Sequence, residues 1–344
     1  MRGGLRYVIR EARPGDLDAI ERLAALLDTM NLPRDRDLLA ALIARSVLSF
    51  RGGIPDPAEA AFVFVLEDLE RSTPVGTSLV IAKHGTLASP HFLMEIRTEE
   101  RHSDVPPRDF RHRVLRLGYT TDGPTEVGGL ILHPDCRRAP EELGKQLSFV
   151  RFNFIGRHQE RFQKEVLAEL LSPLDEEGKN LFWEVYGRKF TGLTYREADR
   201  LSMLDKKFIL SLFPQTDLYA ALLPEEVQAV LGEVASGARA ARHLLEKIGF
   251  RYLQQIDPFD GGPYFGAAMK DVTLVRDTAL HRASPGDVRG EEAVSAIVSH
   301  EGEGGFRAVS APVRAREGEV VLEPETCLAI GAAAGTPVAV TPIP

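Results

Sequence analysis

The segment EVGGLILHPDCRRAPEELGKQLSFVR, residues 126–151, decides the fold of this chain. Its first part, residues 127–132, is an apolar run that predicts a short strand, and the His-Pro pair that follows closes the strand. A charged loop over residues 137–143 comes next, and a helix is predicted from about residue 145 to residue 159. The order is therefore strand, basic turn, glycine and helix.

The start of this helix is a candidate binding site for a diphosphate. Backbone N–H groups in the first turn of a helix have no partner within the helix, and the helix dipole places partial positive charge there. Arg137 and Arg138 add guanidinium groups that bind phosphate oxygens in pairs. An ordinary strand–turn–helix connection with solvated arginines fits the same residues, and the spacing alone leaves both interpretations open.

The rest of the chain alternates between strand and helix patterns. Strands are predicted at residues 61–68 and 76–82, and helices at residues 17–27 and 37–50. Sheet segments with interleaved helices predict an α/β or α+β fold, in which a mixed sheet is flanked by helices.

The composition changes after about residue 277. Residues 278–344 are rich in Gly, Ala, Pro and Val and contain short β-like pieces, so we predict a small β-rich C-terminal extension rather than a disordered tail. Residues 1–277 are predicted to form the main domain. Residues 181–190 and 244–250 both read as a helix that ends at glycine before an aromatic residue, which fits either two related halves or general helix-stop chemistry.

Composition and charge argue against several classes of protein. The chain has 42 Lys+Arg against 50 Asp+Glu, a net charge of −8, which disfavours general nucleic-acid binding. No apolar run approaches the roughly twenty residues that cross a bilayer, and the N-terminal residues lack a signal-peptide pattern. Cys136 and Cys327 lie far apart and form no metal-binding motif. We therefore expect a cytoplasmic protein without nucleic-acid, membrane or metal binding.

The block IDPFDGGP at residues 256–263 is the most specific motif of this chain. Together with further motifs spread over residues 1–277, it resembles the motifs of the arginine N-succinyltransferase family, a branch of the GCN5-related N-acyltransferase fold. The other blocks are VIREARPGD (8–16), FVLED (64–68), Glu126 with LILHPD (130–135), Gly144, Leu147, Ser148, Arg151, Ala168, Glu169, FWE (182–184), Ala198, Asp199, LLPEE (222–226) and GFRY (249–252). The resemblance is not expected to cover the tail beyond about residue 278.

The resemblance implies transfer of a succinyl group from succinyl-CoA, or of another acyl-CoA group, to the α-amine of arginine or a related amino acid. Attack is direct in a ternary complex, so the acyl-CoA is a co-substrate and no tightly bound cofactor is expected. In this fold the strand pairs with pantetheine, and a β-bulge beside Gly128 and Gly129 would aim a backbone N–H at the thioester oxygen. The candidate acyl-CoA contacts are Leu130, Leu132, Arg137, Arg138, Gly144, Lys145 and Ser148.

Carboxylates that match family positions are the candidates for chemistry on the amine. An amine with a pKa near 10 is protonated at neutral pH, so a base must take its proton. We assign this role to Glu169, directly or through a water, with Tyr186 as a group that could serve the departing thiolate. Glu126, Asp257 and Asp260 are candidates to hold a cationic substrate. The alternatives are a strand-end ion pair for Glu169 and a tight turn, in which Asp accepts backbone N–H groups, for the two aspartates.

Three departures from the family pattern bear on activity. The family's proton-donor histidine is replaced by Ala235, the loop at residues 137–143 lacks the family's glycines, and its early glycine-rich loop is represented only by residues 28–33. They keep a second interpretation open, a catalytically silent relative that binds acyl-CoA or a partner subunit. The resemblance also implies that the protein can work as a homo- or hetero-oligomer.

Overall fold

The computed structural model describes residues 5–26, 32–87, 89–290, 292–316 and 318–344. Residues 28–31 of the candidate early loop therefore lie outside the described residues. The strands there are β1 Tyr7–Glu11, β2 Ala61–Asp68, β3 Thr73–Ile81, β4 His91–Asp104, β5 Pro107–Thr120, β6 Thr125–Leu132, β7 Glu165–Glu169, β8 Leu218–Tyr219, β9 Arg251–Ile256, β10 Pro263–Ala268, β11 Ala279–Pro285, β12 Val294–Gly302, β13 Gly305–Arg316, β14 Glu319–Leu322 and β15 Pro337–Pro342.

Helices of very different length cover the sheet. They are α1 Leu17–Ala24, α2 Arg36–Phe50, α3 Leu143–Arg157, α4 Arg188–Thr191, α5 Tyr195–Leu204, α6 Lys207–Leu212, α7 Glu225–Val230, α8 Arg239–Lys247, α9 Thr273–Arg276 and α10 Pro324–Ile330. A π-helix, Trp183–Gly187, runs directly into α4, so the helix that the sequence predicts at residues 181–190 is formed, with a π-helical stretch inside it. None of the helices in the described ranges has the length and apolarity that crossing a bilayer takes.

Fifteen strands of the described chain form one sheet, in the order β12-β15-β11-β14-β13-β1-β2-β3-β6-β7-β10-β9-β4-β5-β8. Two of its pairs are parallel, β6 with β7 and β11 with β14. The parallel β6–β7 pair lies near the middle of the sheet. The fold is therefore a mixed sheet flanked by helices, as the sequence predicts.

The β6–β7 pair separates soon after it begins. The two strands pair only at Thr125 with Val166 and Glu126 with Leu167, although β6 stays paired with β3 as far as Leu132. Strand β7 pairs with β10 along its whole length, from Glu165 opposite Ala268 to Glu169 opposite Tyr264, whereas its pairing with β6 ends at Leu167. The second half of β6 therefore borders a wedge between two diverging strands.

A β-bulge lies in the same half of β6. Gly128 pairs with Leu79 and Ile131 pairs with Thr77, so β6 has one residue more than β3 between these pairs. Gly129 sits in the bulge with φ of 55°, a conformation that glycine adopts without strain. The Thr77 hydroxyl donates to the Gly129 carbonyl oxygen at 3.0 Å. The structure confirms the predicted bulge beside the glycine pair.

Helix α3 fills the main core behind β6. Ten of its fifteen residues are buried, because it packs against β3 and β6 on one side and against α9 and β12 on others. Phe154 meets the rings of Phe62, Phe64 and Phe306 at centroid distances of 4.8, 5.6 and 5.4 Å. This packing fixes the start of α3 beside the end of β6.

A second core lies between the sheet edge and the helices of residues 182–231. Trp183 stacks on Phe259 with the ring planes 5° apart and the centroids 5.3 Å apart. Asn180 ties the two segments together, since its Oδ1 accepts from the Trp183 N–H (2.7 Å) and its Nδ2 donates to the Asp260 carbonyl oxygen (2.8 Å). The helices thereby form a cover over the ends of β9 and β10.

The C-terminal segment is β-rich, as predicted, and it continues the main sheet. Strand β13 pairs with β1, with Ile9 opposite Ala308. Asn153 of α3 donates to Thr341 Oγ1 of β15 at 2.8 Å. Hydrogen bonds to both the first strand and the central helix therefore join this extension to the rest of the fold.

Candidate active site

A small cavity lies where the ends of β7, β9 and β10 meet the start of β4. Its walls come from the sheet and from the loop between α5 and α6. The lining residues are His91, Phe92, Glu169, Ser202, Lys206, Asp257, Pro258, Phe259 and Tyr264. Neighbouring strands place them together, because β7, β10, β9 and β4 are consecutive in the sheet.

Buried carboxyl groups dominate the electrostatics of this cavity. Burial raises the pKa of Glu169 well above its ordinary value, and the charges of Glu126 and Asp257 raise it further. Glu126 itself is buried on β6. Burial also raises the pKa of Asp257. The negative charges of Glu126, Glu169 and Asp257 repel one another. A cation that enters this site relieves the repulsion and is therefore bound favourably.

Asp257 is held rigidly at the cavity wall. Its Oδ1 accepts the backbone N–H groups of Phe259 (2.6 Å) and Asp260 (3.1 Å). The Tyr264 hydroxyl lies 3.0 Å from Asp257 Oδ2 and 3.1 Å from the Phe92 carbonyl oxygen, and its single proton goes to one of them. Burial raises the pKa of Tyr264 well above its ordinary value, so this hydroxyl stays neutral.

Two histidines that match no motif in the sequence lie at or beside the cavity. His84 Nδ1 bonds to Glu126 Oε2, and His84 Nε2 is 3.3 Å from Lys206 Nζ. The His91 ring centroid is 4.5 Å from that of His84, and His91 Nδ1 is 3.8 Å from Glu169 Oε1. Burial, together with the charges of His84 and Lys206, lowers the pKa of His91 well below its ordinary value. His91 is therefore neutral at pH 7.

Three side chains here, those of His84, His91 and Glu169, offer nitrogen and oxygen atoms of the kind that bind metal ions. Their ligand atoms lie within 4.8 Å of one another, and histidine with carboxylate is a donor set that Zn²⁺ accepts. The Lys206 ammonium group is 3.3 Å from His84 Nε2, however, so a protein cation already occupies the position beside that nitrogen. We assign no ion to this cluster.

A second group of predicted residues lies at the far end of β6. Leu130 and Leu132 are half-buried on the strand that borders the wedge. Arg137 Nε donates to the Leu132 carbonyl oxygen at 3.2 Å, which holds this arginine beside the strand end. Arg138 is exposed. Arg137 and Leu132 therefore lie together at this end of β6.

The first turns of α3 complete this group. Gly144 is half-buried, and a Cβ at that position would have Leu132 Cδ2 as its nearest contact at 3.9 Å. Lys145 Nζ is 3.5 Å from Glu142 Oε2 and 3.2 Å from the Pro344 carbonyl oxygen. Ser148 is buried, and its Oγ accepts from Arg151 at 2.8 Å. Ser148 therefore faces the protein interior, whereas Gly144 and Lys145 remain partly accessible.

Comparisons with known proteins agree with this geometry. A sequence profile described as "Arginine N-succinyltransferase beta subunit" matches residues 7–274. This chain belongs to the arginine N-succinyltransferase family. The Arginine N-succinyltransferase of Yersinia pestis is 33% identical over 336 residues, 95% of each chain. That of Citrobacter koseri is 33% identical over 305 residues, 88% of each chain.

A solved structure shares the whole architecture. Arginine/ornithine succinyltransferase subunit AI from Pseudomonas aeruginosa superposes with a TM-score of 0.84 at 27% identity, covering 99% of both chains. Membership of the family confirms the predicted enzyme class, an acyltransferase with the GCN5-related fold. The family profile ends at residue 274, near the expected limit of about 278, but the match to the P. aeruginosa structure covers 99% of this chain and so includes the C-terminal strands. The reason is structural: strand β13 pairs with β1 and so belongs to the family's sheet.

Of the predicted catalytic and substrate-binding residues, Glu169 and Asp257 line the cavity, whereas Glu126, Tyr186 and Asp260 do not. Tyr186 packs in the second core, with its ring 5.3 Å from Phe182 and 5.4 Å from Phe213, and burial raises its pKa. Asp260 accepts the N–H groups of Gly262 (2.6 Å) and Ser172 (3.2 Å), the tight-turn arrangement that the sequence left open. The charges of Glu126 and Asp257 act on Glu169, and Asp260 adjoins this group through its N–H, which donates to Asp257 Oδ1. Tyr186 belongs to the second core instead.

Ala235, which replaces the family histidine, lies beside the strand that carries Glu169. Its backbone N–H donates to the Leu171 carbonyl oxygen at 2.8 Å, just past the end of β7. The two histidines of this region come from elsewhere in the chain: His84 lies in the β3–β4 connection and His91 is the first residue of β4. The only sequence signal for them is a pair of histidines in a short loop after a strand, which is too common to identify a site.

Proposed function

We propose that this protein transfers the succinyl group of succinyl-CoA to the α-amine of arginine. The amine nitrogen forms a bond to the succinyl carbonyl carbon, the carbon–sulfur bond breaks, and CoA leaves as a thiolate that takes up a proton. The observation that carries the proposal is the wedge between β6 and β7, which opens beside a cavity lined by the carboxyl groups of half-buried Glu169 and buried Asp257.

The wedge suits an extended acyl-CoA. Backbone groups of β6 beyond Glu126 face diverging β7 without a ladder, so they are available to the amides of pantetheine. The bulge at Gly129 turns the local backbone, which supports the proposal that a backbone N–H beside it stabilises the thioester oxygen as charge develops there. Arg137, Arg138, Gly144 and Lys145 lie at the strand's far end, where the diphosphate would follow.

The acidic cavity suits the acceptor. Arginine has an ammonium and a guanidinium group, and the carboxyl groups of Glu126, Glu169 and Asp257 favour cations. The raised pKa of Glu169 makes its carboxylate a stronger base than an ordinary glutamate, which suits removal of a proton from the amine. The proton moves from the amine nitrogen to Glu169, directly or through a water.

The catalytically silent alternative is not favoured, because the chain matches named succinyltransferases over nearly its full length. The test is release of free thiol from succinyl-CoA in the presence of arginine. We expect turnover with arginine above that with a neutral amino acid such as alanine. A protein that binds CoA esters in calorimetry but releases no thiol with any amino acid would contradict the proposal.

Two further features belong to this proposal. The names of the family profile and of the P. aeruginosa chain both describe subunits, so we infer that the enzyme works as a homo- or hetero-oligomer. Cys136 and Cys327 are both buried and unpaired, which suits the reducing cytoplasm. Light scattering of the purified protein tests the inferred oligomer, and a monomer at all concentrations would contradict that inference.

A further inference from the structure

We propose that Lys206 binds a substrate carboxylate in the cavity and so selects substrates that carry one. The inference rests on the proposed function and names a determinant of its specificity. Two carboxylates are available in that reaction, the free end of the succinyl group and the α-carboxylate of the amino acid. The chemistry of recognition is the same for both.

Lys206 supplies the positive charge of an otherwise acidic cavity. It lies between α5 and α6 and lines the cavity opposite the strand ends. Among the described residues that line this cavity, it is the one with an ammonium or guanidinium group, since His91 is neutral and the other ionisable groups are carboxyl groups and a phenol. A carboxylate that enters is repelled by Glu169 and Asp257 and attracted by Lys206.

The ammonium group is held by a fixed chain of hydrogen bonds. Glu126 bonds to His84 Nδ1, which leaves His84 Nε2 as an acceptor for Lys206 Nζ at 3.3 Å. This arrangement fixes the position of the ammonium group before substrate arrives. An imidazole nitrogen is a neutral partner, and a carboxylate forms a stronger charge-assisted hydrogen bond with the same group. An arriving carboxylate therefore competes well for Lys206.

A purely structural role for Lys206 makes a different prediction. Its charge lowers the pKa of Glu169 and of Asp257, so it also stabilises their ionised forms. If that were its whole contribution, removal of the charge would weaken all substrates alike. Recognition of a carboxylate instead makes the loss depend on whether the ligand carries one.

The test measures dissociation constants by calorimetry for two matched pairs of ligands. The first pair is succinyl-CoA and acetyl-CoA, and the second is arginine and its decarboxylated analogue agmatine, with CoA present. The variant is Lys206→Met, and the control is Lys207→Met, which changes the adjacent but exposed lysine. Lys206→Arg keeps the charge and should restore most of the binding. Thermal melting confirms that each variant is folded, and Lys206→Gln replaces the methionine variant if that one does not fold.

We expect Lys206→Met to weaken one carboxylate-bearing ligand by about 10- to 100-fold, the value of a hydrogen bond to a charged group, with its analogue changed less than about threefold. A loss confined to succinyl-CoA identifies the acyl carboxylate, and a loss confined to arginine identifies the α-carboxylate. Equal losses within both pairs, no loss in either, or a wild-type protein that binds both members of each pair equally would overturn the inference. Failure of the proposed function is distinguishable, because the wild-type protein would then release no thiol from succinyl-CoA with arginine.

Discussion

Arg151, in the middle of α3, donates from Nη1 to the carbonyl oxygen of Gly128 in the bulged half of β6, at 3.3 Å. The same guanidinium group donates from Nε to the Ser148 carbonyl oxygen at 2.9 Å and from Nη2 to Ser148 Oγ at 2.8 Å. The side chain is buried, and this burial lowers its pKa to about 9. A buried cation thus links the bulge to the helix that follows it.

This link predicts a combined effect on stability and on acyl-CoA binding. Arg151→Met removes every donor of the guanidinium group, so the carbonyl oxygens of Gly128 and Ser148 lose the hydrogen bonds that they accept from it. We expect the free energy of unfolding in urea to fall by about 2 kcal/mol. We also expect KM for succinyl-CoA to rise, because the bulge loses its support.

The matched control for Arg151→Met is Arg111→Met. Arg111 lies on β5 with an exposed side chain that pairs with Glu100 at 2.9 Å, so its loss should change the unfolding free energy by less than about 0.5 kcal/mol. Arg151→Lys should retain part of the binding. If Arg151→Met left both the unfolding free energy and KM unchanged, the bulge would not depend on this contact.

The strand, turn and helix around residues 126–151 could be predicted from the sequence because their signals are local. The apolar run gives β6, the charged loop gives the turn, and the glycine pair gives the bulge. Each depends on residues within about one turn or one strand of one another. The helix begins two residues earlier than predicted, at Leu143, a difference within the usual uncertainty of helix ends.

The cavity could be predicted only in part, because its residues are distant in the sequence. Glu126, Glu169 and Asp257 belong to family motifs, so the sequence identifies them as candidates. The sequence does not identify three further residues, His84, His91 and Lys206. They meet only through the strand order β3-β6-β7-β10-β9-β4 and the helical cover. Tyr186 lies in the helical region near this cover, but its aromatic partners place it in a core that the sequence pattern could not distinguish from a site.

Glu169→Gln tests the assignment of the base. Glutamine keeps the size of the side chain but cannot take a proton, so kcat should fall by about 100-fold or more. In the wild-type enzyme the rate should rise with pH as Glu169 ionises, over a range above the ordinary carboxyl pKa. The variant should lack this rise. Steady-state rates between pH 5 and pH 9 would show it.

The control for this substitution is Glu176→Gln, at an exposed glutamate beyond the end of β7. It should leave both kcat and the pH profile unchanged. An unaltered pH dependence in Glu169→Gln, whatever the rate, would assign the titrating base to another group.

Asp260 predicts a dependence of stability on pH. Burial, with the charge of Asp257, raises its pKa from 3.8 to about 7. A carboxyl group with a raised pKa in the folded state favours folding below its unfolded pKa, and this contribution is lost as pH rises through the folded value. The unfolding free energy of the wild-type protein should therefore decline between about pH 4 and about pH 7, by on the order of a few kcal/mol.

Asp260→Asn removes this titration but retains an oxygen that can accept one of the two N–H groups at this turn, from Gly262 or Ser172. The unfolding free energy of the variant, relative to that of the wild type, should therefore increase progressively as pH rises. Urea denaturation at several pH values checks this. Two stability curves that run parallel from pH 4 to pH 8 would show that Asp260 does not titrate in this interval.

Arg137→Ala tests the diphosphate end of the proposed acyl-CoA site. The bond from Arg137 Nε to the Leu132 carbonyl oxygen holds the guanidinium group beside the strand end, yet the side chain remains exposed. An exposed charge contact is modest, so we expect CoA to bind about two- to fivefold more weakly at low salt. Because salt screens such contacts, the difference should shrink as ionic strength increases. Pantetheine, which lacks the diphosphate, should bind the variant and the wild type equally. Calorimetry with both ligands decides the point: unchanged CoA affinity at low salt, or an equal loss with pantetheine, would place the diphosphate away from Arg137.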